Sequence, residues 1–375
     1  MRPIQMVDLK SQYDKIHDEI NVQMQQVLDS ATFIRGEKVT IFQRNLEKYL
    51  HVKHVIPVGN GTDALQIALM ALGLQKGDEV ITPTFTFIAT VEVIALLGLT
   101  PVLVDVDSET FCMSPEAVRK AITKKTKAIL PVHLFGQHAD MEALKNIADE
   151  FQLFLVEDAC QSMGSIYTFT NGLSCSTGCM GTVGCTSFFP SKNLGCFGDG
   201  GALFTNDDAL ADTIRSIANH GMEVRYHHDR VGVNSRLDSL QAAVLDVKLK
   251  YLDLYILARQ QAAQFYDQAL AGCERASPPV HQLKSTHAFH QYTLKLHHID
   301  RNAVQIAMAQ KNVPTMVYYP IPIHLQKAYA YLGYKSGDFP VAEQLSQQVL
   351  SLPMHTELDE EQLQYIINSL KLVLQ

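Results

Sequence analysis

T-S-F-F-P-S-K-N-L-G-C-F-G-D-G-G-A-L-F, the stretch Thr186–Phe204, decides the fold of this chain. Its lysine, Lys192, leaves the end of an apolar strand, and four glycines at positions 195, 198, 200 and 201 follow before a second apolar run. Glycine adopts positive φ and lets backbone approach a ligand closely, so the turn can hold the lysine amine over a flat polar ligand. The stretch therefore predicts two strands joined by a ligand-holding turn.

The role of Lys192 depends on what the rest of the chain supplies, because a lysine near a glycine-rich turn is most often a solvated surface residue. Pyridoxal phosphate (PLP) requires an amine for its aldehyde, an acid for its pyridine nitrogen and an anion site for its phosphate. Two further stretches provide an acid and an anion site. We therefore interpret Lys192 as a Schiff-base lysine.

The acid is predicted in F-L-V-E-D-A-C-Q-S, which begins at Phe154. The apolar run Phe151–Val156 predicts a buried strand, and Glu157 and Asp158 follow at its carboxyl end, where open α/β sheets bind ligands. A carboxylate that faces the pyridine nitrogen keeps it protonated, by about 1.4 kcal/mol for each unit of pKa shift. Alternation along the strand favours Asp158 without excluding Glu157.

The phosphate site is predicted at Gly59-Asn60-Gly61-Thr62-Asp63, just before the helical run Ala64–Leu72. Glycines such as Gly61 leave free N–H groups at the positive end of the helix dipole, and Thr62 adds a hydroxyl. Many strand-to-helix turns with two glycines bind nothing, so this motif is weak alone. Ser187 is either a second phosphate ligand or a strand-end serine bonded to backbone.

Four motifs together carry a resemblance to a known family. They are G-N-G-T-D-A-L, E-D-A-C-Q-S, S-F-F-P-S-K with its glycine turn, and G-V-N-S-R-L-D-S-L-Q-A-A. Their order and spacing resemble the DegT/StrS-type nucleotide-sugar aminotransferases, over a range from about Val7 to the last residues. The resemblance implies PLP as the cofactor and the α/β aminotransferase fold of type I, with a large, mostly parallel seven-stranded sheet.

The resemblance also implies roles for three residues near the cofactor. An aromatic ring at the position of Phe87 stacks on the PLP ring, for which core packing is the alternative. Gln161 hydrogen-bonds near the phenolic oxygen of the cofactor, where many relatives have histidine. Asn234 reaches the PLP phosphate of the neighbouring subunit, which implies a homodimer with shared active sites; the alternative is an ordinary cap before the Leu237–Leu245 helix.

The substrate is predicted from the pattern R-Y-H-H-x-R-V-G-V-N-S-R-L-D. It resembles the family members that aminate UDP-2-acetamido-2-deoxy-3-oxo-glucuronate, with L-glutamate as the implied amino donor, for O-antigen sugars of lipopolysaccharide. A guanidinium binds a carboxylate bidentately, so Arg236 is the first candidate for the uronate group and Arg230 the second. Either arginine equally fits a surface or interface ion pair.

A tyrosine-rich segment resembles the Y-P-x-P-L-H motif that lines the sugar site in the family. It supplies Tyr318, Tyr319 and His324 as candidate substrate contacts, although His324 also fits a loop histidine bonded to backbone. Uronate-type relatives tend to have histidine where this chain has Tyr318. This departure keeps a dTDP- or GDP-linked 3-keto or 4-keto hexose open as the substrate.

Two other functions compete with transamination. PLP-dependent sugar dehydratases share the fold but replace the lysine by histidine, so Lys192 favours transamination. A regulatory protein that merely retains the fold is disfavoured by the intact lysine, acid and phosphate turn. A Rossmann dehydrogenase is disfavoured because G-N-G-T lacks the third glycine of the dinucleotide fingerprint.

Composition restricts the partners and the compartment. A net charge of −8 and a pI near 6.0 argue against nonspecific binding to nucleic acid or membranes. The sequence shows neither a secretion signal nor an apolar run long enough to span a bilayer, which predicts a cytoplasmic protein. The seven cysteines read as reduced thiols, and no metal is expected because paired C-x-x-C spacing is missing.

The hydrophobic periodicity predicts most of the elements. Two amphipathic helices, Ser11–Asp29 and Glu37–Leu50, flank an Ile34-Arg35-Gly36 turn that either contacts a partner subunit or is a simple loop. From Val55 strands and helices alternate, which predicts βαβ units and a mostly parallel sheet. The stretch between Gly164 and Val183 is predicted to be an irregular loop.

The second half of the chain is predicted to form a smaller unit. Leu237–Gln268 reads as long helices, Gln291–Leu296 as a strand, Asn302–Lys311 as a helix and Pro314–Tyr319 as another strand. We expect a large PLP-binding domain over residues 1–248, with the N-terminal helices, and a small α/β domain over residues 249–375.

Overall fold

A seven-stranded sheet forms the centre of the computed structural model, which describes residues 2–375. The strands, in chain order, are β1 His54–Val58, β2 Glu79–Pro83, β3 Thr100–Val104, β4 Thr126–Ile129, β5 Phe154–Asp158, β6 Ile166–Thr168, β7 Ser174–Ser176, β8 Val183–Ser187, β9 Gly201–Thr205, β10 Met222–Val224, β11 His227–His228, β12 Ala276–Ser277, β13 Tyr292–Leu296 and β14 Val349–Leu352. The order in the central sheet is β1-β9-β8-β5-β4-β2-β3.

Helices cover the sheet and form the N-terminal layer. In chain order they are α1 Leu9–Ser30, α2 Glu37–Leu50, α3 Gly61–Ala71, α4 Ala89–Leu96, α5 Pro115–Ala121, α6 Met141–Phe151, α7 Asp208–Ile217, α8 Ser239–Leu249, α9 Leu252–Leu270, α10 Arg301–Gln310, α11 Pro340–Gln348 and α12 Glu360–Val373. The predicted helices at the N-terminus are confirmed, and Asp207 caps α7 by accepting from the amide of Leu210.

Strand direction positions the functional edge of the central sheet. Strands β3, β2, β4, β5 and β8 pair in parallel, whereas β9 is antiparallel to both β8 and β1. Strand β1 therefore runs in the same direction as the parallel set. The carboxyl ends of β1, β2, β5 and β8 meet at one edge, where ligands bind in open α/β sheets. This is the mostly parallel sheet that the sequence predicts.

The first two helices pack on α8 rather than on the sheet alone. Phe42, Leu46 and Leu50 of α2 are buried in one cluster with Phe188 and Leu245. Because Phe188 directly follows β8, this cluster supports the strand that leads to Lys192. The apolar face of α2 therefore packs against the residue that follows β8.

A smaller antiparallel sheet follows the long helices. Strand β13 pairs with β12 and β14, and apolar side chains of α9, α10 and α12 share its core. The two helices α8 and α9 are separated by only two residues, 250 and 251. The division of the chain near residue 248 stays a prediction.

The predicted strand Pro314–Tyr319 is wrong. Only Met316 makes a β-bridge, to Ser351 of β14, and the rest of the segment is irregular. The segment is apolar although it is not a strand, because it crosses from the small sheet to the edge of the large one. The segment carries Tyr318 and Tyr319 to that edge instead of extending the sheet.

The loop predicted between Gly164 and Val183 contains an ordered hairpin. Strands β6 and β7 pair antiparallel within it, and Tyr167 is fully buried. The tyrosine hydroxyl donates to Asp140 over 3.0 Å, and the amide of Thr168 donates to the carbonyl of Lys284 over 2.7 Å. Strands of three residues with one buried side chain leave too little alternation for the sequence to reveal them.

No helix within residues 2–375 combines the length and the apolar character required to cross a bilayer.

We expect Leu46→Ala to destabilise the protein by about 2–5 kcal/mol, since it removes a fully buried side chain between α2 and α8. The measurement is the free energy of unfolding in urea. Leu283→Ala is the matched control because that leucine is fully exposed, and we expect it to change stability by less than about 0.5 kcal/mol. Equal effects of the two substitutions would contradict this packing.

Candidate active site

A cavity of about 700 Å³ lies at the carboxyl edge of the central sheet. Its lining residues come from the ends of β1, β2, β5 and β8, from the residues just before β13 and from the segment after α10. Among the predicted site residues, those that line it are Gly61, Thr62, Phe87, Asp158, Gln161, Ser187, Lys192, Tyr318 and Tyr319. Residues far apart in sequence therefore meet in one place.

The glycine turn after Lys192 is tightly packed. None of the four glycines has positive φ, so the predicted conformational reason is wrong. They are required by close approach instead: a Cβ at Gly195 would lie 2.4 Å from the carbonyl oxygen of Pro190, and one at Gly201 would lie 2.5 Å from that of Asn60. The turn thus presses against the phosphate-site loop.

The amine of Lys192 lies in an environment that favours its neutral form. Burial lowers the pKa of Lys192, and the neighbouring Cys160 and Asp158 oppose this shift without cancelling it. A neutral amine is the nucleophile that attacks an aldehyde. The site therefore raises the fraction of reactive lysine near neutral pH.

Asp158 is fixed in the cavity by two donors. Its side chain is 5% exposed and accepts from the Thr90 hydroxyl over 2.9 Å and from the Cys160 amide over 3.2 Å. The Thr90 hydroxyl in turn lies 3.1 Å from that of Thr86. Both carboxylate oxygens are therefore oriented before a ligand binds.

Glu157 points to the opposite face of the sheet, which resolves the choice that alternation left open. One of its oxygens lies 2.9 Å from His133 Nε2, and its carboxylate accepts from the amides of Gly178, Met180 and Gly181. Glu157 thus anchors the segment after the hairpin and does not line the cavity.

The predicted phosphate loop has the geometry of an anion site. Asn60 caps α3 by accepting from the amide of Asp63 over 2.8 Å, and α3 begins at Gly61. A Cβ at Gly61 would lie 2.7 Å from the Cβ of Ser187, so only glycine fits between the two strand ends. Ser187 lines the cavity and accepts from the Phe189 amide over 3.2 Å, as the backbone-bonded alternative predicts, whereas its role as a phosphate ligand stays a prediction.

Two aromatic residues and Gln161 form the opposite wall. Phe87 is 54% exposed and presents its ring to the cavity, whereas Phe85, two residues earlier, is buried in the core. Gln161 donates to the hydroxyl of Tyr319 over 3.1 Å and accepts from the Phe135 amide over 2.8 Å. Burial raises the pKa of Tyr319, which keeps its hydroxyl protonated.

His324 does not line the cavity, so its predicted contact with substrate is wrong. Its ring is buried; Nδ1 lies 2.9 Å from the hydroxyl of Thr84, and Nε2 lies 3.0 Å from Glu343. Both ring nitrogens are thus occupied by protein groups. The residue connects the end of β2 to α11.

Asn234, Arg230 and Arg236 also lie outside the cavity of their own chain. Asn234 is exposed, and Arg230 is ion-paired with Glu223 at 3.0 Å, which is the surface pairing that was the alternative. Arg236 lines a separate cleft. Their predicted contacts with the cofactor and the substrate stay predictions.

Two residues that act on the predicted acid and lysine were not themselves predicted. Thr90, which orients Asp158, lies in the first turn of α4, where a threonine is ordinary and carries no signal. His290 lines the cavity, and its buried Nδ1 has no hydrogen-bond partner among residues 2–375. Burial, Lys192 and Arg259 hold the pKa of His290 well below its usual range.

The residues present fit PLP. The carboxylate of Asp158, the exposed ring of Phe87, the hydroxyls of Thr62 and Ser187 and the amine of Lys192 line one cavity. Within residues 2–375, by contrast, no three His, Cys, Asp or Glu side chains are arranged to hold a metal ion. The fold and the site define a PLP-dependent aminotransferase of fold type I.

The chain belongs to the DegT/DnrJ/EryC1/StrS aminotransferase family, whose model matches residues 14–371. It is 46% identical over 367 residues to the UDP-2-acetamido-2-deoxy-3-oxo-D-glucuronate aminotransferase of Pseudomonas aeruginosa, covering 98% of this chain and 99% of that protein. It is 45% identical to the pleiotropic regulatory protein of Geobacillus stearothermophilus, covering 98% of this chain and 97% of that protein. The family assignment predicted from the four motifs is confirmed.

The fold is shared with an enzyme solved with a reaction intermediate. The crystal structure of S. venezuelae DesV in complex with a ketimine intermediate matches with a TM-score of 0.95 and 37% identity, over 100% of this chain and 99% of that one. The similarity therefore includes the cavity and both sheets.

We expect the apoprotein to take up PLP with a visible absorbance band that borohydride abolishes and that Lys192→Ala lacks. Because burial lowers the pKa of Lys192, the neutral amine forms at lower pH than in free lysine. The uptake rate should therefore rise with pH and level off below about 10.4, the ordinary lysine value. Lys335→Ala, at an exposed lysine, is the control; a rate that still climbs through pH 10.4 would contradict the lowered pKa.

Proposed function

We propose that this aminotransferase aminates a UDP-linked 3-keto sugar, UDP-2-acetamido-2-deoxy-3-oxo-glucuronate, with L-glutamate as the amino donor. The observation that carries the proposal is the cavity in which the amine of Lys192 and the oriented carboxylate of Asp158 meet beside the phosphate loop. The sugar is inferred from the relative in Pseudomonas aeruginosa, whose name states that substrate.

Lys192 and Asp158 would carry the proton chemistry. Bound PLP supplies the electron sink that makes the Cα–H of an amino donor acidic. Lys192 Nζ, which burial keeps partly neutral, would take the proton from that Cα as a general base. Asp158, held by Thr90 and the Cys160 amide, would keep the proton on the pyridine nitrogen.

The remaining cavity residues would hold the cofactor in place. The free amides at the start of α3, at Gly61 and Thr62, together with the Ser187 hydroxyl, would bind the phosphate. The ring of Phe87 would stack on the pyridine ring, because its face is open to the cavity. Gln161, already fixed by Phe135 and Tyr319, would lie near the phenolic oxygen.

We propose a homodimer whose subunits share their active sites. Asn234, Arg236 and Arg230 are outside the cavity of their own chain, and Asn234 is exposed. Such a placement is consistent with Asn234 reaching the cofactor phosphate of the partner subunit. In the same arrangement Arg236 would meet the sugar carboxylate, with Arg230 as the second candidate if its pair with Glu223 opens.

The second candidate substrate is a neutral keto-hexose, linked to dTDP or GDP or to UDP. Tyr318 favours this alternative, since it stands where uronate-type relatives tend to have histidine, and it lines the cavity beside Tyr319. A phenol hydroxyl can both donate a hydrogen bond to a sugar hydroxyl and accept one from it. Elimination as in the dehydratases is disfavoured because Lys192 is present.

The wider assignment is that the enzyme works in the cytoplasm and provides an amino sugar for O-antigen synthesis. The large unit, residues 1–248, would bind PLP, and the small α/β unit, residues 249–375, would close over it. The segment that carries Tyr318 would then couple the position of the small sheet to substrate binding.

We expect turnover of the 3-keto uronate with glutamate to exceed that of the matching neutral UDP 3-keto sugar. Arg236→Ala should lower kcat/KM for the uronate by about tenfold or more, since a charge-assisted pair contributes about 1.5–3 kcal/mol, and should affect the neutral sugar less. The measurement is formation of 2-oxoglutarate with each sugar. Equal losses for both sugars would remove the basis for the uronate, and no turnover of either would refute the substrate class.

Shared active sites predict that two inactive variants complement each other. A dimer of one Lys192→Ala chain and one Asn234→Ala chain has one site with both defects and one site with neither. We expect co-expressed, tandem-purified mixed dimers to regain up to about half of wild-type activity, whereas each variant alone stays low. If each site is built from a single chain, both sites of the mixed dimer are defective and activity stays low.

A further inference from the structure

A buried lysine that does not line the cofactor cavity, Lys248 of α8, has no role in the chemistry described above. Its side chain is 3% exposed, and Nζ donates to the carbonyl of Gly195 over 2.8 Å. The ammonium also lies 5.2 Å from the centroid of the Phe197 ring, within the range of a cation–π contact. Both partners belong to the glycine turn that follows Lys192.

The surroundings of Lys248 do not compensate its charge. Among residues 2–375, no carboxylate lies within 4.0 Å of Nζ. Cys196 is the titratable group that interacts with the ammonium, and burial raises the pKa of that thiol to about 11, so it is neutral near pH 7. Glu19 of α1 pairs with Lys250 instead, at 3.2 Å, and Asp246 accepts a hydrogen bond from α2 at the surface. The fold therefore keeps a buried charge that an apolar side chain of similar length would avoid.

The carbonyl that Lys248 contacts is packed against the segment that carries Lys192. Gly195 lies so close to Pro190 that a Cβ would be 2.4 Å from the Pro190 carbonyl oxygen. The amide of Lys192 donates to the carbonyl of Phe189, the preceding residue of the same segment, over 2.8 Å. A shift of Gly195 would therefore displace the residues that support Lys192.

Helix α8 contacts the same turn at a second point. Gln241 accepts from the Phe197 amide over 2.8 Å, and it lies seven residues before Lys248, about two helical turns away on the same face. A contact that does not involve α8 is made by Asn193, which donates to the Ala288 carbonyl over 3.0 Å. Among these contacts, that of Lys248 is the one that carries a charge, and a charge-assisted hydrogen bond is roughly twice as strong as a neutral one.

We propose that Lys248 is a positioning residue whose charge fixes the glycine turn, so that the Lys192 amine is directed to the cofactor. The inference rests on the proposed role of Lys192 in binding PLP. A protonated amine binds the Gly195 carbonyl more strongly than a neutral amine does, and only the protonated form is attracted to the Phe197 ring. Because burial lowers the pKa of Lys248 to about 8, its effect on the turn should weaken as the pH rises through that value.

The same proton has the opposite effect on stability. The folded pKa of Lys248, about 8, lies below the value of about 10.4 for an unfolded lysine, so between these two values the unfolded chain binds a proton that the folded chain has lost. The buried charge therefore destabilises the folded state up to about pH 8, and this cost disappears as the pH rises to about 10.4. A lysine with a packing role alone would change stability and cofactor binding in the same direction.

The first measurement is PLP affinity, read from the visible band as apoprotein is titrated at about pH 6.5 and about pH 9.5. We expect Lys248→Met to weaken binding by about tenfold at the lower pH, because a charge-assisted hydrogen bond is lost, and by less at the higher pH. Lys248→Arg stays charged at both pH values and should bind PLP better than Lys248→Met at each. Lys250→Met is the matched control; it removes the same charge from an exposed position of α8 and should keep wild-type affinity.

The second measurement is urea unfolding of the same apoproteins, which involves no cofactor. The stability of the wild type relative to Lys248→Met should rise between about pH 8 and about pH 10, while the advantage of the wild type in PLP affinity shrinks. Opposite trends in the two measurements support the inference. Trends of the same sign overturn it, because they indicate a packing role.

Three further outcomes overturn the inference and leave the proposed function intact. They are wild-type PLP affinity of Lys248→Met at about pH 6.5, a loss no larger than that of Lys250→Met, and a loss that is equal at both pH values. If Lys248→Met does not fold, a wild-type affinity that does not fall relative to Lys248→Arg between the two pH values overturns it as well. A visible band retained by Lys192→Ala refutes the proposed role of Lys192, and the inference fails with it.

Discussion

The common direction of four strands is the constraint on which the site depends. The amine, the acid, the aromatic ring and the phosphate loop come from segments between residues 59 and 192, and only parallel strand ends place such segments at one edge. The antiparallel strand β9 fits this scheme because it returns the chain after the Lys192 turn. That return brings Gly201 against Asn60 and closes the cavity on the phosphate side.

Much of this arrangement could be predicted from the sequence, because periodic burial and turn residues are visible within a short stretch of neighbouring residues. Helix α2 was predicted to the residue, and Lys192, Asp158 and Gly61 all line the cavity. The predictions that were wrong concern residues whose surroundings depend on contacts between distant segments. His324 bonds Thr84 and Glu343, which are 240 and 19 residues away, so a motif that places it by sequence alone assigns it to the wrong surroundings.

The glycines after Lys192 show a related limit. Sequence reasoning explained them by positive φ and by close approach to a ligand, whereas the structure requires them for space beside other parts of the chain, at Pro190 and Asn60. A pattern of glycines indicates positions that do not tolerate a side chain. It does not tell whether the cause is a positive φ or the close approach of neighbouring atoms. Thr90 is the opposite case, because a functional hydroxyl in a helical first turn resembles any other threonine.

Strand β5 ends in two adjacent carboxylates, Glu157 and Asp158, which lie on opposite sides of the sheet and have different roles. Asp158 meets the cavity, and Glu157 ties down Gly178, Met180 and Gly181. Side chains change faces with every residue of a strand, so a slip by one position would exchange the two groups and disable both at once. An insertion or deletion in the short segment between α6 and Asp158 is therefore far less tolerable than a point substitution there. We expect descendants of this chain to carry substitutions in that segment but to keep its length.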